Sequence, residues 1–207
     1  MKKLHVIYDP FCGWCWGAAP LIQAAREIDG LEIALHGGGM MAGNNRQQMT
    51  HSLRDFILPH AQRITELSGQ RFGEGYLAML NDTAVWLDST PPTMAIAAAA
   101  QWSRELDMLH RVQATHFTEG RRIGEARVLT DIAEELGIPR QEFAVALATA
   151  LQSAGDHIRE SRALLQQVGG AGFPTFALES NGGFEMLASA QYLGKPGAWR
   201  EMMEKIL

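Results

Sequence analysis

The sequence predicts an α/β fold in which two parts of one small sheet are separated by a large helical insertion. Three stretches of the 207-residue chain indicate this arrangement. Residues 4–35 have the pattern of strand, helix and strand, residues 46–168 carry mostly helical patterns, and residues 175–207 return to strands followed by helix. The predicted order is therefore a βαβ half, a helical insertion and a ββα half, with helices covering the sheet.

The βαβ half begins with a strand over Leu4–Tyr8, which is rich in β-forming residues. A helix is predicted over about residues 12–28, because apolar residues recur there at helical spacing and Asp29-Gly30 supplies a stop signal. The alternation of apolar and polar side chains in Leu31–Leu35 predicts a second strand. A helical crossover of this length joins parallel strands with right-handed geometry, so the two strands are predicted to be parallel.

The insertion is predicted to be largely helical. Pro59 is expected to separate its first two helices, Thr90 to cap the third ahead of two prolines, and Gly137 to end the fifth. The predicted helices cover residues 47–58, 59–67, 90–106, 107–120, 130–136, 139–151 and 153–168. A segment this long is not a loop, so residues 44–168 are predicted to pack as a lid-like subdomain.

The ββα half contains a predicted hairpin. Thr175–Glu179 and Phe184–Leu187 are the strands, and Asn181-Gly182-Gly183 is the turn. Helical segments are predicted at 189–193 and 196–207, with Gly194 between them. Residues 1–43 and 169–207 are therefore predicted to form one domain, into which residues 44–168 are inserted.

Composition argues against two classes of partner. The net charge is −5 and the Lys and Arg residues form no run, so neither nucleic acid nor a membrane surface is a predicted partner.

The sequence contains no predicted membrane span, because no stretch of eighteen apolar residues occurs. The first residues resemble no signal peptide, because His5, Asp9 and Pro10 interrupt the apolar run that such a peptide requires. A cytoplasmic location is therefore predicted.

The chemistry is predicted to reside in Cys12 and Cys15, the two cysteines of the chain. The pair falls where the first strand gives way to the first helix. A thiolate of Cys12 would be stabilised there by the unpaired N–H groups and the dipole of the helix start. Cys15, about one turn later, could then attack a mixed disulfide formed on Cys12. This spacing favours a redox pair, with Cys12 as the nucleophile and Cys15 as the resolving cysteine.

A zinc site and a phosphate-binding loop have weaker support in the sequence than the redox pair. A zinc site would need two further ligands, but the seven histidines are scattered without a paired spacing, so no metal is predicted. Gly37-Gly38-Gly39 follows a strand but lacks the Lys and Ser or Thr of a phosphate-binding loop. The glycines are predicted to form a flexible turn.

Three segments resemble the DsbA-like family of thioredoxin-fold oxidoreductases, in particular its FrnE-like branch of predicted disulfide isomerases without signal peptides. They are residues 8–17 (YDPFCGWCWG), 128–138 (VLTDIAEELGI) and 168–176 (VGGAGFPTF). The resemblance extends over nearly the whole chain and implies a thioredoxin-like fold. It also implies a cis bond before Pro174 that faces the two sulfurs. Phe173 would then flank the exchange site, or would simply pack in the core. The predicted substrate-binding residues are accordingly Gly13, Trp14, Phe173 and Pro174.

The sequence departs from the best-known periplasmic member of the family between the cysteines, where Gly13-Trp14 replaces Pro-His. A tryptophan cannot carry the positive charge that would stabilise a thiolate. Cys12 is therefore predicted to be less acidic, and its disulfide less oxidising, than in that relative. Asp9 has three interpretations: it caps the turn or the helix, its carboxylate raises the thiol pKa, or it assists proton transfer to Cys15.

The predicted function is thiol–disulfide oxidoreductase or isomerase, with protein or peptide disulfides and thiols as substrates. The redox-active disulfide replaces any bound cofactor, and a small thiol such as glutathione or a partner reductase would donate electrons. Two alternatives remain open at this point. One is a glutathione-dependent isomerase or transferase of the kappa type, although relatives of that type commonly have serine at the position of Cys12. The other is a non-catalytic redox sensor or chaperone. Oligomeric state is left open.

Overall fold

The computed structural model describes residues 2–180 and 182–207. Its first half begins with strand β1 (Lys2–Tyr8), which pairs in parallel with β2 (Leu31–Gly37). Between them lie helix α1 (Gly13–Gly17) and helix α2 (Ala19–Arg26). The predicted single helix over residues 12–28 is thus wrong in two respects, since it is interrupted at Ala18 and ends at Arg26. Pro20 explains the interruption, because it has no N–H to donate to the carbonyl four residues earlier.

The polypeptide between the halves contains helices α3 to α9 and a two-stranded antiparallel ribbon, β3 (Gln47–Gln48) with β4 (Trp86–Leu87). The ribbon and α4 were not predicted. The helices are α3 (His51–Ser68), α4 (Glu74–Met79), α5 (Thr90–Ala98), α6 (Glu105–Phe117), α7 (Ala126–Glu135), α8 (Arg140–Gln152) and α9 (Ala154–Gln167).

The predicted break at Pro59 is wrong, because α3 runs through that residue. Pro59 lies on the exposed side of the helix, where water can hydrogen-bond the carbonyl group that loses its partner. The helix begins later than predicted, at His51, because the Thr50 side chain accepts a hydrogen bond from Leu53 N at 3.1 Å and caps the start.

The predicted helix over residues 90–106 is also shorter in the structure. After Ala98 the chain tightens into a 3-10 turn, Ala99–Trp102, and then Ser103 adopts a positive φ of 55°. Left-handed backbone ends a helix, so α6 starts as a separate helix at Glu105. The stop signal at Gly137 is correctly predicted, since this residue follows α7 with a φ of 78°.

The second half contains β5 (Thr175–Ser180), β6 (Gly183–Leu187), a 3-10 turn (Ser189–Tyr192) and α10 (Pro196–Ile206). The predicted hairpin strands are confirmed as antiparallel neighbours, whereas Asn181 of the predicted turn lies outside the described residues. The four strands have the order β2-β1-β5-β6, with β5 antiparallel to β1. Both halves of the chain therefore contribute to one sheet.

The sheet is buried on both faces at its centre. Leu4, Val6 and Tyr8 of β1 join the main apolar core, while Ile7 points to a smaller cluster with Val168 and Ala177 on the other face. This arrangement brings the end of β1, the start of α1 and the segment before β5 to one edge of the sheet. The two cysteines and Pro174 lie in these segments.

Candidate active site

The two cysteines lie at the junction of β1 and α1. Cys12 is the residue before α1 and has extended backbone (φ −79°, ψ 113°), while Cys15 lies within the helix. The Cys12 N–H donates to the Asp9 carbonyl at 3.1 Å, and the Cys12 carbonyl accepts from Trp16 N at 3.1 Å. These bonds form a tight turn that presents the Cys12 sulfur at the start of the helix.

The two thiols have opposite electrostatic environments. Both are free, and Cys12 retains 6% of its surface exposed against 1% for Cys15. A hydrogen bond from Cys15 lowers the pKa of Cys12, and the N–H groups of Cys15 and Trp14 lower it further against the cost of burial. Burial, followed by the neighbouring Cys12 sulfur, raises the pKa of Cys15 well above its usual value. Cys12 is therefore the sulfur that ionises first.

The segment before β5 contacts the Cys12 sulfur. The Cys12 thiol donates to the Phe173 carbonyl oxygen at 3.4 Å, and the Phe173–Pro174 peptide bond is cis. Phe173 and Pro174 are both half-buried. This contact leaves backbone of the Phe173 segment beside the sulfur, where an extended peptide could pair with it.

Three successive glycines at the end of β2, Gly37-Gly38-Gly39, lie near the Phe173 side chain. A Cβ at Gly38 would lie 2.2 Å from two atoms of the Phe173 ring, and one at Gly37 would lie 2.2 Å from Thr93. The Gly38 N–H donates to the Tyr8 carbonyl at 2.8 Å, and the Gly38 carbonyl accepts from Arg162 Nε at 2.8 Å. The predicted turn is wrong at Gly37, which is the last residue of β2. Gly38 is held by two hydrogen bonds, and its lack of a Cβ permits close packing.

Asp9 is a buried carboxylate beside the pair. Its Oδ1 accepts from Phe11 N at 2.9 Å and from Ser89 Oγ at 3.0 Å, and its Oδ2 accepts from Met40 N at 2.6 Å. Burial raises the pKa of Asp9 to about 6, and these hydrogen bonds oppose the shift. The bond to Phe11 is the turn-capping role considered for this residue. Its negative charge also raises the pKa of both Cys12 and Cys15.

A cavity of about 280 Å³ opens beside Cys12, between α1 and helices of the insertion. Gly13 and Trp14, which are half-buried, belong to its wall together with Cys12. The remaining lining residues are mostly apolar: Phe11, Met40, Met41, Met49, Leu53, Phe56, Ile57, His60, Ala61, Ile64, Phe72, Tyr76, Met79, Leu80, Leu87 and His116. The surface along which a molecule would approach Cys12 from this side is therefore apolar.

The structure thus brings all six predicted site residues to one region: Cys12, Cys15, Gly13, Trp14, Phe173 and Pro174. Sequence reasoning did not identify Ser89, which orients Asp9, or His116, which lines the cavity. Both lie in the insertion far along the chain, and neither belongs to a recognisable motif. Over residues 2–180 and 182–207, no group of three or more His, Cys, Asp or Glu side chains could hold a metal ion.

Comparison with known families places the chain in one of them. The model of the DSBA-like thioredoxin domain matches residues 3–194, and the chain belongs to this family of thiol–disulfide oxidoreductases. The predicted family, the α/β fold with a helical insertion, and the enzyme class are confirmed. A search of curated proteins found no match.

The solved structures include a similar protein, the cytosolic disulfide reductase DsbM from Pseudomonas aeruginosa. It is 44% identical, with a TM-score of 0.93 over 99% of this chain and 98% of that chain. A second structure of DsbM, with GSH, has 43% identity and a TM-score of 0.92 over the same shares of the two chains. A putative protein disulfide isomerase from Nitrosomonas europaea, 21% identical, shares the fold, with a TM-score of 0.79 over 99% of this chain and 96% of that chain.

No helix among the described residues has both the length and the apolar character needed to cross a membrane.

Proposed function

We propose that the protein reduces disulfide bonds of peptides or proteins in the cytoplasm, with Cys12 as nucleophile and Cys15 as resolving cysteine. The observation that best supports this assignment is the opposite pKa shift of the two thiols. The pKa of Cys12 is lowered and that of Cys15 is raised, although the residues lie only one helical turn apart. With pKa values shifted in these directions, the Cys12 sulfur ionises first and can attack, while Cys15 remains a protonated thiol.

The first step is attack of the Cys12 thiolate on one sulfur of a substrate disulfide. The substrate S–S bond breaks, a Cys12–substrate mixed disulfide forms, and the other substrate sulfur leaves as a thiolate. The N–H groups of Trp14 and Cys15 stabilise the Cys12 thiolate beforehand. The Phe173 backbone, which contacts the Cys12 sulfur, is positioned to align the incoming chain.

The second step releases the substrate. Cys15 loses its proton and attacks the Cys12 sulfur, so that the Cys12–substrate S–S bond breaks, a Cys12–Cys15 disulfide forms and the second substrate sulfur leaves as a thiolate. Asp9, with a pKa of about 6, is a base within the same buried region that can take up the Cys15 proton. Two molecules of a small thiol then reduce the Cys12–Cys15 disulfide and form one molecule of their own disulfide.

Glutathione is the proposed electron donor. The 43% identical DsbM has a structure with GSH, and its description as a cytosolic disulfide reductase supports both the reductive direction and the cytoplasmic location. In a compartment where glutathione keeps thiols reduced, net transfer of electrons to substrate disulfides is the expected direction.

A turnover assay tests the proposal. A catalytic amount of the protein is added to disulfide-bonded insulin, glutathione, glutathione reductase and NADPH, and NADPH consumption is followed. Many turnovers per protein are expected for the native chain and none above background for Cys12→Ser. Val145→Ala on α8, whose side chain is 69% exposed, is a matched control that should retain full activity.

The same assay separates the alternative functions. A redox sensor would consume no more than one equivalent of reductant per protein molecule, which would contradict the proposal. A kappa-type transferase would conjugate glutathione to an electrophile, and this activity would survive Cys12→Ser. No such activity is expected if Cys12 is the nucleophile.

A further inference from the structure

The cavity beside Cys12 has room for a large side chain. Its volume of about 280 Å³ exceeds the roughly 150 Å³ of an apolar cavity that holds benzene. Methionines supply four of its lining residues, Met40, Met41, Met49 and Met79. Their flexible, polarizable side chains adapt to the faces and edges of aromatic rings.

The described cavity wall carries no Lys, Arg, Asp or Glu side chain. Its titratable groups besides Cys12 and Tyr76 are His60 and His116. The ring of His60 is exposed, and its Nδ1 lies 2.8 Å from the Phe56 carbonyl oxygen. The carboxylates and ammonium group of glutathione would therefore find no opposite charge inside this cavity, whereas an apolar group loses nothing by entering it.

His116 gives the cavity one specific polar feature. Its side chain is 3% exposed, and among the described residues its Nδ1 has no hydrogen-bond partner. The Arg121 backbone raises the pKa of His116 and so acts as an acceptor towards the ring. Because Nδ1 has no partner, we assign the N–H of the neutral ring to Nε2. A neutral imidazole that donates through one nitrogen accepts through the second, so Nδ1 is an unused acceptor. Leaving such an atom buried and unpaired costs free energy.

Aromatic rings enclose this histidine. Phe11 and Tyr76 pack edge to face on it, with centroid distances of 4.8 Å and 5.2 Å. At the rim of the cavity, Phe56 is 63% exposed and pairs with His60 at 4.5 Å. The cavity therefore has exposed aromatic surface at its rim and a buried acceptor among aromatic walls.

We propose that this cavity binds an aromatic side chain of a peptide substrate, adjacent in sequence to the cysteine that Cys12 attacks, and that tyrosine is preferred because its hydroxyl donates to His116 Nδ1. The inference rests on the proposed disulfide reduction and names the substrate class of that same site. Because Cys12 belongs to the cavity wall, a residue next to the substrate cysteine is within reach of the cavity. His116 is a specificity-determining residue and takes no part in sulfur exchange.

A peptide series tests the proposal without altering the protein. Short capped peptides with one cysteine are oxidised to disulfide dimers; they differ in a single residue, placed before the cysteine in one set and after it in the other. Tyr, Phe and Ala are compared by kcat/KM. In at least one set, the Phe peptide is expected to exceed the Ala peptide about tenfold, from burial of the ring. The Tyr peptide should exceed the Phe peptide about threefold, from one hydrogen bond.

Two variants locate the preference. His116→Phe should abolish the advantage of Tyr over Phe, and Ala61→Leu, which adds bulk to the cavity wall, should reduce the advantage of both over Ala. His110→Phe is the matched control, since it lies exposed on the same helix and does not line the cavity. If His116→Phe fails to fold, the Ala61→Leu ratios and the wild-type series still decide the matter.

The outcomes distinguish this inference from the function on which it rests. Equal kcat/KM for Tyr, Phe and Ala peptides in both sets, together with normal reduction of all of them, would overturn the cavity proposal and leave the reductase proposal intact. Reduction of none of the peptides, nor of insulin, would overturn both. A Tyr preference that persists in His116→Phe would show that His116 does not determine this specificity.

Discussion

The Cys12 sulfur lies 3.4 Å from the carbonyl oxygen of Phe173, a residue 161 positions later in the chain. This contact joins the two halves of the sheet at the reacting atom. The ring of the same residue packs against Gly38. The shape of the exchange site is therefore linked to a glycine that carries no chemistry of its own.

Substitution of Gly38 tests this link. In Gly38→Ala the new Cβ would lie 2.2 Å from the Phe173 ring, so the ring must shift. We expect a loss of about 1–3 kcal/mol in the free energy of unfolding, as for other overpacked sites. We also expect a slower reaction with insulin. Denaturant unfolding and the turnover assay measure the two effects.

Gly155→Ala is the matched control for Gly38→Ala. Gly155 lies in α9, and a Cβ there meets nothing within 4 Å, so this variant should be unchanged or stabilised by about 0.5–1 kcal/mol. Native stability and turnover in Gly38→Ala would show that the Phe173 ring does not depend on this glycine.

Substitution of Asp9 tests whether its charge raises the pKa values of the two thiols. Its charge raises the pKa of both thiols, so Asp9→Asn should lower the pKa of Cys12, and alkylation of Cys12 should become faster at neutral pH. Ser89→Ala removes a hydrogen bond that holds the Asp9 pKa down and should act in the same direction but less strongly. The pH dependence of iodoacetamide alkylation measures each shift. A higher pKa of Cys12 in Asp9→Asn would contradict the assignment.

The residue between the cysteines provides a second test of thiol acidity. Trp14 supplies an N–H group to the Cys12 sulfur but no positive charge. Trp14→His should lower the pKa of Cys12 further when the imidazole is protonated, and should make the disulfide a stronger oxidant. Equilibration with glutathione buffers measures the potential. Trp14→Phe, which adds no charge, is the control, and an equal change in both variants would exclude a charge effect.

His116 predicts a specific acid sensitivity. Burial lowers its pKa to about 3, below the unfolded value of about 6.5, so between these values the unfolded chain binds more protons. Stability from this group is present above pH 6.5 and is lost as the pH falls towards 3. The loss between pH 6.5 and pH 5 is about 2 kcal/mol. Urea unfolding at pH 7 and pH 5 should show a smaller loss in His116→Phe than in the native chain.

Asp9 opposes this trend, because its raised pKa makes the folded state bind the extra proton between about pH 4 and pH 6. The comparison of His116→Phe with the native chain cancels that contribution, since both retain Asp9. An identical loss of stability in the two proteins would show that His116 does not titrate as its burial requires.

The sequence predicts those features that depend on local pattern. The four strands of the main sheet, the cysteine pair and the segment around Pro174 are recognisable because short motifs and local composition carry them. Helix boundaries were less predictable, since Pro59 is tolerated on an exposed helix face and Ser103 ends a helix with a positive φ that its residue type does not favour. The first outcome depends on which side of the helix faces water.

The features that surround the cysteines were the least predictable. Ser89 reaches Asp9 across 80 positions, and His116 approaches the cavity from α6. Neither position has a spacing that relates it to Cys12. Such long-range pairs arise from the packing of the insertion on the sheet, which a single sequence does not encode in any short pattern.

The central claim is that the Cys12 sulfur performs the attack and the Cys15 sulfur completes it. Trapping tests this most directly: Cys15→Ala is incubated with oxidised peptide or with cell extract, quenched with acid, and examined by non-reducing electrophoresis and mass spectrometry. Mixed disulfides through Cys12 are expected to accumulate in Cys15→Ala and to be absent from the Cys12→Ala, Cys15→Ala double variant. Accumulation through Cys15 in Cys12→Ala, with none in Cys15→Ala, would contradict the assignment.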